Sequence, residues 1–215
     1  MFRFSLTKPI LLCLFSVVMT LSMACKKDST AAAEPATEDP MSGGAVDDIS
    51  ALVKEDIPGT NMQYARQLNP QGQIQIEGFV ENGKKTGQWI EYTPEGDILL
   101  INHYVNGLLE GTVLRMTYRN QVDLRINYKQ GKMDGQYTAY KFGKLVEERF
   151  YKNGKLEGTA KTYDDRTFNL KQEVQYKDGL QDGYFRYYDE NGNVTLEYQY
   201  KNGEKLSGGI VEPKK

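Results

Sequence analysis

Along NVTLEYQY, Val194, Leu196, Tyr198 and Tyr200 fall on one side of an extended backbone while Thr195, Glu197 and Gln199 fall on the other. QVDLRINY repeats the pattern, with Val122, Leu124, Ile126 and Tyr128 set against Asp123, Arg125 and Asn127. A period of two over this length is the mark of a half-buried antiparallel strand. A second type of strand follows in GQWIEY, GQYTAY, GTAKTY and GYFRYY, each with a tyrosine five residues after its glycine. No stretch between these segments carries helical periodicity, so the pattern predicts strands joined by turns.

The turns recur as an octet. VENGKKTG, YVNGLLEG, YKQGKMDG, YKNGKLEG and YKDGLQDG start at Val80, Tyr104, Tyr128, Tyr151 and Tyr176, and YKNGEKLSG at Tyr200 has its second glycine displaced by one. The first glycines are Gly83, Gly107, Gly131, Gly154, Gly179 and Gly203, in steps of 24, 24, 23, 25 and 24. Gly87, Gly111, Gly135, Gly158 and Gly183 close the octets. Asn-Gly between alternating strands is a hairpin signal, and a constant step of this size is the signature of a repeat array. A second turn falls eleven residues before each first glycine, at Gly72, Gly96, Asn120, Gly143 and Gly192, while DDRTFNL predicts a longer or bulged turn where the step grows to 25. The expected fold is all-β: an elongated single-layer antiparallel meander of about six 24-residue hairpin units over residues 61–212, with a tail at 213–215.

The octets, with an aromatic and a tyrosine in the strand that follows, resemble the MORN repeat variant family over Met62 to Gly209. That resemblance implies a β-meander scaffold for protein or membrane contact and no catalytic residue. Many bacterial members are of the YwqK antitoxin type, so it also implies a toxin as one kind of partner.

The first 24 residues, with Arg3 and Lys8 ahead of the apolar run from Pro9 to Met23, read as an export signal. Cleavage after Ser22-Met23-Ala24, or lipid attachment at Cys25 with cleavage before it, both fit. Cys13 lies inside the leader, so Cys25 would be the lone thiol of the mature chain and no intramolecular disulfide can form. The CKKDST start resembles bacterial lipoproteins of the Bacteroidetes type, which implies an exported envelope protein. Lys26 behind the cysteine favours the outer membrane. Residues 25–60 are expected to be the lipidated cysteine and a disordered tether.

Charge narrows the partners. The whole chain carries a formal net charge of −2, and nothing in it has the basic footprint of a nucleic-acid binder. One histidine, His103, and one cysteine outside the leader cannot supply a triad or a zinc site. The expectation is therefore a non-enzyme, a monomer without cofactor or metal. Glu147-Glu148 should point to opposite faces, and Asp164-Asp165 should cap a turn. Glu110, Asp134, Glu157 and Asp182 recur before the second glycine, as turn caps or as a weak cation ladder. Trp89, Tyr137, Phe185 and Tyr187 either form a stacking surface for carbohydrate or peptide, or cover the sheet. Three functions follow: a lipid-anchored scaffold for a protein partner, a toxin-neutralising protein, and a cell-wall or glycan binder.

Overall fold

The computed structural model describes residues 39–41, 48–117 and 120–212; the expected leader and Cys25 lie outside them. After a 3-10 turn at Ile49–Ala51, the chain forms β1 (Val53–Asp56), β2 (Met62–Leu68), β3 (Ile74–Glu81) and β4 (Lys84–Tyr92). It continues through β5 (Ile98–Val105), β6 (Leu108–Leu109), β7 (Gly111–Met116) and β8 (Val122–Lys129). Next come β9 (Lys132–Lys141), β10 (Lys144–Lys152), β11 (Lys155–Leu156) and β12 (Gly158–Tyr163). The last four are β13 (Leu170–Lys177), β14 (Leu180–Tyr188), β15 (Val194–Lys201) and β16 (Glu204–Ile210). All sixteen belong to one antiparallel sheet in chain order, with the two-residue β6 and β11 lying off the main path against β5 and β10. The expected all-β meander of hairpin repeats is what the chain forms.

The sheet begins before residue 61, which corrects the expected end of the tether. β1 pairs with β2 from Val53↔Arg66 to Asp56↔Gln63, and Leu52 just ahead of it is buried. Ile49 and Leu52 supply the apolar side chains that the polar run before them lacks.

Each octet makes a tight turn. Asn153 and Gly154 have φ of 52° and 81°, both left-handed, as the favoured two-residue hairpin turn requires. The same two signs recur at the other five octets, with Gln130 or Asp178 in place of asparagine. Neighbouring turns are then stitched together. The Gly154 N–H donates to the Met133 carbonyl at 2.8 Å, and Gly107, Gly131, Gly179 and Gly203 do the same to Lys85, Leu109, Leu156 and Gln181.

The second glycine lies in a bulge that preserves facing. Tyr128 pairs with Met133 but Ile126 with Tyr137, so β9 advances four residues while β8 advances two. An even insertion returns the chain to the same face, whereas a slip of one residue would turn the apolar set outward. One face consequently keeps its apolar column through the first five octets: Val80, Leu100, Tyr104, Val113, Leu124, Ile126, Tyr128, Tyr151, Val174, Tyr176 and Phe185 are all buried.

Candidate binding surface

The apolar face is built from two lines of side chains crossing the strands. The first places Tyr104, Tyr128, Tyr151, Tyr176 and Tyr200 one unit apart, paired across the strands with Leu109, Met133, Leu156, Gln181 and Lys205. A tyrosine in such a line packs its ring and keeps a polar hydroxyl for a partner. Two of those hydroxyls have named partners: Tyr151 accepts from Arg149 Nη1 at 3.3 Å, and Tyr128 donates to Asp39 at 2.5 Å. Burial, and then the Asp39 carboxylate, pushes the Tyr128 phenol well above its ordinary range.

The second line contains the aromatic residues named from the sequence, and the structure corrects the idea that all four form an exposed platform. Trp89 is 1% exposed and Phe185 2%. The Trp89 ring lies on Gly78, where any Cβ would come within 2.5 Å of it, and its Nε1–H donates to the Phe79 carbonyl at 3.0 Å. Tyr104 meets it edge-on and Lys85 Nζ sits 4.8 Å from the ring centre. Phe185 is enclosed by Tyr187, Tyr198 and Tyr200. These two residues cover the sheet, while Tyr137 and Tyr187 are half-buried. Beside Tyr137, Arg149 is buried, pairs with Glu147 and stacks its guanidinium 5.2 Å from the Tyr137 ring. Burial raises the Glu91 carboxyl and, chiefly, the Tyr137 phenol.

The opposite face carries many charged side chains together with an apolar line, Ile90 paired with Ile101 and Ile101 with Leu114, and with Val105 and Phe150 exposed. His103 is exposed there, opposite Gln88. Glu147 and Glu148 divide between the faces as their adjacency requires, Glu148 accepting from Gln136 at 2.9 Å. Tyr92 donates to Glu77 at 2.5 Å and Tyr188 to Glu173 at 2.6 Å; burial and then those carboxylates push both phenols up to about 12.

The recurring acids line one edge and cap turns, each reaching the next unit's turn instead of its own. Glu110 accepts from the Gln130 N–H at 2.8 Å, Asp134 from Asn153 at 2.9 Å, Glu157 from Asp178 at 3.0 Å and Asp182 from Asn202 at 3.3 Å. Among the described residues no group of three His, Cys, Asp or Glu is placed to hold a metal ion. At the other edge Asp164 caps its own loop through the Arg166 and Thr167 N–H groups, and Asp165 pairs with Lys141.

Two features escaped the sequence reading. Phe168 holds φ of 60° in the long turn, eleven residues before Gly179, the place glycine or asparagine takes elsewhere. Its spacing alone could have revealed it. Asn102 is buried within the apolar face, and its amide oxygen has no hydrogen-bond partner.

Residues 181–202 match the family described as MORN repeat variant. They run from Gln181 in the fifth octet to Asn202 in the sixth, close to one repeat in length. No curated protein matches the chain. Among solved structures it is similar to a Staphylococcus aureus TarM mutant in complex with fondaparinux, alpha-GlcNAc-glycerol and UDP. Identity is 16% and the TM-score 0.31, with 46% of this chain and 20% of that one covered. A likeness at this level carries no argument.

Proposed function

Taking the chain as a protein of MORN-variant repeats, we propose that it is a non-enzymatic scaffold for a protein partner, exported and held at the outer membrane by a lipid on Cys25. The observation that carries the scaffold reading is the continuous apolar face. Units that differ in sequence all keep a tyrosine or valine in one line on that face. An array whose units touch only their neighbours offers an extended surface in place of a pocket. The anchoring part rests on the sequence alone.

Affinity capture of the full chain through a carboxy-terminal tag, after cross-linking in cells, tests the scaffold reading. Reproducible enrichment of one protein is expected, and recovery of a toxin would identify the chain as its neutralising partner. Enrichment of nothing over an untagged control contradicts the reading. For the anchor, Cys25→Ala should move the protein out of the membrane fraction, and retention there would exclude lipidation at this residue.

A further inference from the structure

The apolar face already has an occupant. Asp39 receives the Tyr128 hydroxyl in the middle of the tyrosine line. Farther along the same face Leu52 is buried among Ala65, Ile76, Val80, Trp89 and Tyr104, with Ile49 packed against them. Crossing from Tyr128 to Val80 spans two units, roughly 19 Å at the usual strand spacing. A chain joining Asp39 to Leu52 can reach up to about 43 Å when extended, more than the distance between the two contacts. Between them lies Asn102, 2% exposed, with its unpartnered amide oxygen. A buried acceptor of this kind calls for a donor.

We propose that this face is a groove for an extended segment of a partner protein, bearing a carboxylate followed by apolar residues, and that Asp39 and the Ile49–Leu52 turn occupy its two ends as an intramolecular stand-in. The inference deepens the scaffold reading and rests on it. The phenol of Tyr128 takes the carboxylate, the Trp89–Tyr104 cluster takes an aliphatic side chain, and the Asn102 oxygen takes a backbone N–H. Because the stand-in is covalently attached, its effective concentration at the groove is high. A partner must displace it, which lowers the apparent affinity in proportion to the fraction of open groove.

The probe is a fluorescent synthetic peptide of residues 36–55, titrated into the full-length protein. Asp39→Asn combined with Leu52→Ala should bind it at least about tenfold more tightly than the wild type, and adding Tyr128→Phe should remove about tenfold of that affinity. If the doubly substituted chain does not keep a cooperative melt, Asp39→Asn alone serves, with an expected gain of about threefold. A folded variant that takes no peptide, or a Tyr128→Phe change without effect, overturns the groove. Partner capture that succeeds while the peptide fails removes the groove and leaves the scaffold reading standing. Peptide binding with no captured partner does the reverse.

Discussion

The two edges of the sheet are built on opposite plans. At the octet edge every turn has the same length, and each is tied to its neighbour by a glycine N–H to a carbonyl. From the third turn onward a carboxylate on the preceding unit adds a second tie. At the opposite edge the turns vary from the two-residue Phe142–Gly143 pair to the longer loop closed by Asp164 and Asn169, and they are mostly closed on themselves. The difference teaches where register is kept. One edge spaces the units, and the other absorbs variation in length and sequence without disturbing the apolar face between them.

An insertion is the most severe way to break this comparison. One residue added after Gly154 shifts facing and breaks the stitch to Met133, and should cost roughly 3 kcal/mol or more. The same insertion after Asp165, in a loop already long, should cost no more than about 0.6 kcal/mol. Urea unfolding of the two variants compares them directly. Next in size, Gly154→Ala places a side chain at φ of 81° and should lose about 1–2 kcal/mol. Phe168→Asn sharpens the contrast because it should gain about 1 kcal/mol, relieving the left-handed strain on a bulky residue. Smaller still, Glu157→Ala leaves the Asp178 N–H without its carboxylate and should lower stability by about 0.5–1 kcal/mol.

The pH dependence is shared by both edges and is the smallest effect. The Lys201 ammonium beside Asp182, and the Asn193 amide beside Asp189, hold these carboxyls below the ordinary value of 3.8. Their stabilising contribution is therefore complete above that value and is lost as the pH falls through the folded-state pKa. Thermal melts taken from neutral pH down to about pH 2 should show a decline that Asp182→Asn and Asp189→Asn each flatten.

Much of this was legible because the octet and the period of two are local signals. Asn153-Gly154 announces its own turn, and Leu124, Ile126 and Tyr128 announce a shared face. What was not legible depended on neighbours. Whether Trp89 is a platform or a cover is decided only when Gly78 is seen beneath it, and Phe185 only when three tyrosines enclose it. Composition alone extended the tether to residue 60. The burial of Leu52 depends on Ala65 and Trp89, which are distant in sequence.

The same contrast of faces bears on function at the carboxy-terminal end. There the apolar face opens: Tyr198 and Tyr200 are half-buried, and Ile210 on β16 is 85% exposed. Tyr200 and Gln199 are adjacent but point to opposite faces, paired with Lys205 and Ser207 respectively. A photo-crosslinking amino acid placed at each position in turn, in the full chain in cells, tests the scaffold account most directly. The account predicts a discrete adduct with a partner from position 200 and none from position 199. An adduct from position 199 alone, or equally from both, would contradict it.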